Sequence, residues 1–532
     1  MRKNNFKILI LAVASLMVAG SCHKKLDLVP TNDVIADQVY ATPLGYKQAF
    51  AKLYGALALT GNSGPAGNAD IPGEIISDEG NSDFVRMLWY LQSLSTDEAG
   101  WTFHSSTDPI GIHQMTWSSS NQTVAGLYFR CMFLITLVND FMRQSTDEKV
   151  ASRGISGVDA ENIKGYVAEA RFLRAYMYWV LMDMYGNPPF VDESNIIGGP
   201  PPQQIKRADL FNWLESELLE LETILPAPRS NEFGRVDRAT AWALLSRMYL
   251  NAQIYTGTPK FTECITYSNK ILNENYSLIE NYKHLMLADN HLNTDEFLFQ
   301  IQYDGTRTRN WGGTTTLTHG PAGVSPDSSG VGATWDCIRI TEQFVGKFAP
   351  EDIRGQFWTS TQTLEMTELL DAKSNGYSST KFRNKTRTGA PAPNMDPDKN
   401  FTDIDFPIFR LAEIYLNYAE AVVRGGTGGN NADALDYLRE LAVRARPNDP
   451  NAVNIPQLTL DYIIDERGRE LFWECLRRTD LIRFNMFTTN SYLWAWKGGI
   501  RGGTAVDPKY NLYPIPATDL TANPNLEQND GY

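Results

Sequence analysis

The chain has 532 residues, of which 42% are hydrophobic, which is enough for a large core and excludes a disordered chain. A formal net charge of -14 repels phosphate backbones, so nucleic acid is not expected as a partner. With 12 Trp and 24 Tyr, some rings are expected to form a surface and not only a core.

Residues 1–21 read as a signal peptide. Arg2, Lys3 and Lys7 give a basic start, and Ile8 to Val18 form an apolar run of 11 residues, too short to span a bilayer comfortably. Ala19, Gly20 and Ser21 then precede Cys22, the pattern of a bacterial lipobox in which the Cys is acylated after cleavage. Losing the three basic residues takes the charge from -14 to -17. Residues 22–42 are expected to be the lipidated Cys and a polar tether, and residues 43–532 one domain.

Helical patterns dominate that domain, and the fold class is mainly α. The first helices are predicted at Leu44 to Leu59 and Thr123 to Met142. The strongest runs from Asp159, as a cap, to Tyr185, with Gly186 ending it and Asn187-Pro188-Pro189 preventing its return. Its centre is apolar on nearly every face, which marks a buried helix. Further helices are predicted at Ala208 to Leu225, Asp237 to Gln253, Phe261 to Glu274, Leu411 to Val423 and Ala432 to Arg446. Their pairing through short turns suggests stacked helix hairpins of the tetratricopeptide kind.

Two long stretches break this habit, at about 61–118 and 303–400. Both are rich in small polar residues yet hold Trp89, Tyr90, Trp101, Phe103, Trp117, Trp311, Trp335, Phe357 and Trp358. Loops of this length inside a domain are usually functional. The segment Ile463 to Phe484 carries an apolar stripe at helical spacing. Its charges, with Glu474 and Arg478 four apart, are expected to form a solvated ion-pair lattice.

Chemistry of catalysis is missing. The six His stand in no metal-ligand spacing, and no nucleophile elbow or phosphate loop occurs. Acidic pairs such as Asp97/Glu98 are inevitable among 62 acidic residues and do not signal a glycosidase. The five Cys are far apart and read as buried free thiols once Cys22 is set aside. No enzyme is expected.

Several segments together carry a resemblance. They include the lipobox, Ala168-Glu-Ala-Arg-Phe-Leu-Arg-Ala, Phe233-Gly-Arg, Leu244-Leu-Ser-Arg-Met-Tyr-Leu-Asn-Ala and Pro407-Ile-Phe-Arg-Leu-Ala-Glu-Ile-Tyr-Leu. Asp465-Glu-Arg-Gly-Arg-Glu-Leu, Tyr513-Pro-Ile-Pro and Gln528-Asn-Asp-Gly-Tyr complete the set. The chain resembles the SusD/RagB outer-membrane lipoproteins. Ser95-Thr-Asp-Glu with Trp101, Thr308-Arg-Asn-Trp-Gly-Gly, and Met486 to Gly499 are similar to its starch-binding branch. The resemblance implies four tetratricopeptide-like helix pairs, outward-facing lipid anchoring in the outer membrane, and docking onto a TonB-dependent, porin-like transporter. It implies starch or malto-oligosaccharides as ligand. Another glycan or peptide cargo, and a structural lid without ligand affinity, are the alternatives.

By position, the resemblance places an aromatic arc on Phe103, Trp311 and Trp335, with Trp101 beside it and polar contacts from Arg86 and Ser106. Aromatic faces bury the C–H face of a sugar, and polar side chains satisfy its hydroxyl rim. It requires no cofactor, but implies a structural Ca2+ beside Asp403 and Asp405. Two apart in an extended segment, these carboxylates share one face. The relative's third ligand aligns with His291, a poor ligand for a hard cation, so Asp289 or Asn293 is expected to substitute.

Overall fold

The helix Val158–Tyr185 forms the spine of the fold. From Ala168 to Tyr185 every residue but Arg171 is buried, as its all-round apolar sequence requires. Its polar residues are paired: Glu169 takes Nε of Arg235 at 3.1 Å, and Asp183 takes the hydroxyls of Tyr255 and Thr479 at 2.8 and 2.6 Å. Gly186, at φ 74°, ends the helix in a conformation that costs other residues strain. Asp159 lies inside the first turn; the cap position is Gly157 and makes no side-chain bond.

The computed structural model describes residues 36–62, 64–65, 69–196, 198–370, 373–455 and 457–532. The expected signal peptide, Cys22 and most of the tether lie outside the described residues.

The remaining long helices fall where periodicity places them, within a few residues: Pro43–Ala58, Gln122–Gln144, Arg207–Ile224, Arg238–Leu250, Phe261–Leu272, Leu411–Val423 and Asn431–Ala445. Asp237 caps its helix in a reciprocal box with Thr240. Successive helices pack on one another: Gln122–Gln144 on the spine, the spine on Arg207–Ile224, and Arg238–Leu250 on Phe261–Leu272. Phe261–Leu272 packs on Leu411–Val423, and that on Asn431–Ala445, giving the expected stack of hairpins. One core cluster joins them from Tyr40 to Leu526. Gln122–Gln144 is long and apolar enough to cross a membrane, but it is a core helix packed against the spine.

A two-stranded antiparallel ladder explains how helices distant in sequence become neighbours. Phe297–Ile301 pairs with Phe406–Arg410, Phe297 opposite Arg410 and Ile301 opposite Phe406. The chain between them therefore leaves and returns at one place, and Phe261–Leu272 meets Leu411–Val423 directly. The excursion is not all loop; it contains the helix Gly313–His319. The 61–118 stretch likewise folds into the helix Phe84–Trp89, a π-helical turn at Tyr90–Leu94 and the helix Thr107–His113.

The segment Ile463 to Phe484 departs from expectation. It is two helices, Leu460–Glu470 and Arg477–Arg483, separated where Trp473 and Cys475 each take φ 62°. Its charges are not solvated. Glu466, Arg467, Glu470, Glu474, Arg477, Arg478 and Asp480 are buried. Glu474 pairs with Lys381 and Arg410 rather than with Arg478, which donates to the Asn511 carbonyl and lies 4.5 Å over the Tyr513 ring. Partners such as Lys381, Arg410, Arg444 and Asp97 come from distant segments, which a local pattern does not reach.

The thiols of Cys131, Cys264, Cys337 and Cys475 are free and buried, as expected.

Candidate functional site

Asp83 joins the two segments that carry Arg86 and Trp311. As the cap of Phe84–Trp89, its Oδ1 accepts the Arg86 amide at 2.7 Å, and the same oxygen accepts the Gly313 amide at 2.7 Å. The two glycines of Trp311-Gly-Gly are required for this approach. A Cβ on Gly312 would lie 2.1 Å from the Asp83 carboxyl carbon, and Gly313 has φ 54° with the Tyr303 ring against it.

From this anchor the Arg86 guanidinium reaches across. Nε donates to the Tyr90 hydroxyl at 3.1 Å, and Nη1 to the Trp311 carbonyl at 3.2 Å. Its Nη2 makes no hydrogen bond to a described residue. Gly80 leaves the space, since a Cβ there would come within 2.6 Å of Arg86 Nη1.

Trp311 and Trp335 are both half-buried, so each offers part of a ring to solvent. Their centroids are 6.2 Å apart and their planes inclined by 56°. Trp311 is backed by Phe401 at 4.8 Å, and Trp335 by the His319 ring at 5.1 Å. The Trp335 loop is pinned by Asp336, which accepts the Gly323 amide at 2.7 Å and pairs with Lys373 at 3.0 Å.

Phe103 is 46% exposed. Gly100–Trp101 pairs antiparallel with Ile338–Arg339, and the Thr102 amide extends the ladder to the Cys337 carbonyl. Phe103 and Trp335 therefore leave the same end of one ribbon. Ser106 lies in the turn beside Phe103, its amide donating to the Phe103 carbonyl at 3.4 Å. Trp101 is a correction. Only 4% exposed, it packs edge-on against Tyr90 at 5.5 Å, a core ring with no free face.

The expected metal ligands do not gather as one set. Asp403 and Asp405 are buried; burial, then the Asp403 charge, pushes Asp405 up to about 7, and burial, with the Asp304 charge, raises Asp403. Two such carboxylates fit a hard divalent cation in charge and donor type. Asp289 does not join them. Its carboxylate accepts the Arg387 amide at 3.1 Å and Nε at 3.1 Å, and Arg387 also binds Asn293 Oδ1 at 3.2 Å. No cluster of three or more His, Cys, Asp or Glu suited to a metal occurs among the described residues.

Asp97 and Glu98 are fully enclosed. Asp97 is held by Arg477 and Tyr492, and Glu98 by the Trp473 amide, so neither carboxylate reaches a surface substrate. A polar cavity of about 1100 Å3, lined by Asn187, Gln253, Asn485, Asp507 and Asn529 among others, has no aromatic ring in its wall and cannot stack a sugar.

Sequence reasoning missed Asp83, His319 and Phe401, which hold the site residues in place, and counted Tyr90 only among the loop rings. Asp83 alone had a local signal, an acid directly before a helical run.

Residues 353–532 match the SusD family model. The starch-binding protein SusD of Bacteroides thetaiotaomicron is 33% identical over 584 aligned positions, covering 100% of this chain and 99% of that protein. A SusD-like protein of Bacteroides ovatus is 20% identical, covering 93% and 85%. Among solved structures, a SusD homolog from B. thetaiotaomicron superposes with a TM-score of 0.73 at 17% identity, covering 94% of this chain and 99% of that one. Surface glycan-binding protein A of the same species, solved in complex with laminarihexaose, gives 0.67 at 19%, covering 91% and 98%. With a full-length relative at one-third identity and a helical stack of the same architecture, this chain belongs to the SusD family.

Proposed function

We propose that this chain is a surface glycan-binding protein that captures starch or malto-oligosaccharides without catalysis and hands them to a TonB-dependent, porin-like outer-membrane transporter. The observation that carries the reading is the pair of half-buried indoles, Trp311 and Trp335, inclined by 56°, with Arg86 bonded to the Trp311 carbonyl and its Nη2 unbonded among the described residues. Each indole buries one sugar face, and the guanidinium donates to hydroxyls. Planes set at an angle favour a curved chain over a flat one, and an α-1,4-glucan is curved. Phe103 extends the platform from the neighbouring ribbon, with Ser106 as a polar contact. Weak individual contacts suit reversible capture before transfer.

The full-length relative is named a starch-binding protein, which supports this ligand. The laminarihexaose complex of a structural neighbour favours a second reading, a different curved glucan on the same rings. Calorimetry with maltoheptaose, laminarihexaose and cellohexaose separates them. Binding of maltoheptaose with no response to cellohexaose is expected; preference for laminarihexaose would replace starch with that glucan, and silence from all three would remove the glycan reading.

Anchoring is proposed through Cys22, and Cys22→Ala protein should lose its outer-membrane attachment or its maturation. The calcium proposal reduces to Asp403 and Asp405, the donors that would hold the ion; Asp289 is withdrawn from it. A bound cation there would supply a positive charge that relieves the repulsion of the pair.

A further inference from the structure

His319 ends the helix that Trp311 and its two glycines begin. Its imidazole lies face to face with the Trp335 ring, 5.1 Å away and inclined by 20°. Its main-chain oxygen accepts the Trp335 amide at 2.6 Å. Both ring nitrogens aim at carbonyl oxygens: Nδ1 at that of Ala333, 2.5 Å away, and Nε2 at that of Asn400, 2.8 Å away.

A carbonyl oxygen only accepts. A neutral imidazole has one N–H and one lone pair, so it satisfies one of these oxygens and sets a lone pair against the other. An imidazolium donates to both. The two oxygens belong to different segments. Ala333 is two residues before Trp335, and Asn400 directly precedes Phe401, the ring that backs Trp311. One side chain thus ties together the supports of both indoles.

We propose that His319 is a positioning residue for the platform, whose imidazolium form clamps the Trp335 loop to the Asn400–Phe401 segment and tightens ligand capture as the pH falls. The inference rests on the reading of Trp311 and Trp335 as the ligand platform.

The charges around the ring are consistent with this direction. Asp396 favours the imidazolium, and its carboxylate is itself held by the Asn400 and Phe401 amides at 2.8 and 2.7 Å. Asp336, on the Trp335 loop, is turned to Gly323 and Lys373, while Asp398 and Lys399 are exposed. Burial holds the ring below the ordinary imidazole range, against the pull of the two carbonyls and Asp396. The neutral ring therefore makes one of the two bonds, and protonation adds the second. If ligand binding favours the clamped arrangement, proton and ligand must strengthen each other.

The test follows ring nitrogens and indoles by NMR on deuterated, 15N-labelled protein between about pH 8 and pH 5, with His319→Gln and Trp335→Phe as assignment variants. Both His319 nitrogens are expected to become protonated, and the Trp335 indole signal to move with the same midpoint. In parallel, maltoheptaose affinity of the wild type is expected to rise about three-fold or more from pH 7.5 to pH 5, the scale of a modest hydrogen bond. In His319→Gln it should stay flat. A Trp335 signal indifferent to the His319 titration, or a pH slope that survives in His319→Gln, overturns the clamp and leaves the platform standing. No binding of any glucan sinks the platform instead, and the coupled titration alone then decides the clamp.

Discussion

Arg86 donates from Nη1 to the main-chain carbonyl of Trp311 at 3.2 Å, across 225 residues of sequence. The bond ties a guanidinium to the backbone that carries the indole and joins the two long excursions from the helical stack. Trp335 lies against Trp311, 6.2 Å between ring centres, so the three residues meet although no short motif contains any two of them.

Substitution of these residues should therefore affect binding more than folding. Trp311→Ala and Trp335→Ala are each expected to weaken malto-oligosaccharide binding by about 1–3 kcal/mol, if stacking on a sugar resembles stacking on a base. Calorimetry measures it, with the melting temperature as control. Trp101→Ala is the contrast. As a core ring it should cost about 3–5 kcal/mol of stability. Equal loss of stability in all three variants would reduce the platform to packing.

Glu98 should make the protein less stable in base. Its Oε1 accepts the Trp473 amide, Oε2 has no hydrogen-bond partner among the described residues, and burial pushes the carboxyl up to about 8. The folded state thus holds a proton that the unfolded state releases near the ordinary Glu value of about 4.3. Stability should fall as pH rises through that window and level off above about 8, by on the order of 1.4 kcal/mol per unit of displacement. Glu98→Gln should flatten the curve and melt higher than wild type at pH 9. An unchanged pH profile in the variant would assign the slope to other groups.

Helices were readable in the sequence because their signals are local. The apolar run from Ala168 to Tyr185 and its Gly186 stop are visible within one window, and so is Asp237 before Arg238–Leu250. The charges of Ile463 to Phe484 were misread for the opposite reason. Asp480 pairs within the segment, with Arg467 and Arg483, but Arg354, Arg410 and Arg444 lie on other segments, and nothing in a helical pattern distinguishes a charge facing water from one facing a distant guanidinium. Among the site residues, Trp311, Trp335 and Arg86 came through resemblance, and the structure adds their mutual geometry. Trp101 and Phe103 could not be told apart by alternation, because residues two apart share one face of a regular strand; the ribbon strand ends at Trp101, and Phe103 lies beyond it. His319 was invisible, since its role depends on two carbonyls that only the fold brings to it.

Calcium should raise the melting temperature through Asp403 and Asp405. Saturating the site at about 100 times its Kd is worth about 2.7 kcal/mol to the folded state. Differential scanning with a chelator and with millimolar Ca2+ measures the difference. Asp405→Asn removes one charge of the pair, relieves the repulsion, and should abolish the response to Ca2+. Wild-type transitions that coincide in chelator and Ca2+ would leave the two acids as buried neighbours without an ion.

Glu470 should be the acid on which folding depends most. It is fully buried and accepts from three guanidiniums: Arg410 Nη1 at 2.6 Å, Arg444 Nη2 at 2.5 Å and Arg354 Nη1 at 3.1 Å. Its main-chain oxygen also accepts Arg410 Nη2 at 2.6 Å and the Tyr282 hydroxyl at 2.8 Å. The three cations hold its carboxyl far below the usual range against the opposing effect of burial. A depressed folded value gives stability that is present above the unfolded value, about 4.3, and is lost only as pH falls through the folded one. The contribution should therefore persist through mild acid. Removing the carboxylate leaves buried donors without an acceptor and cations with too little compensating charge, a change that typically costs about 3–5 kcal/mol. Glu470→Ala and the near-isosteric Glu470→Gln should both lose about that much in denaturant unfolding, since charge rather than shape is what the guanidiniums need. The Gln variant is the informative one. Stability close to wild type in Glu470→Gln would show that hydrogen-bond geometry, not ionic charge, holds the two helices Leu460–Glu470 and Asn431–Ala445 to the ladder.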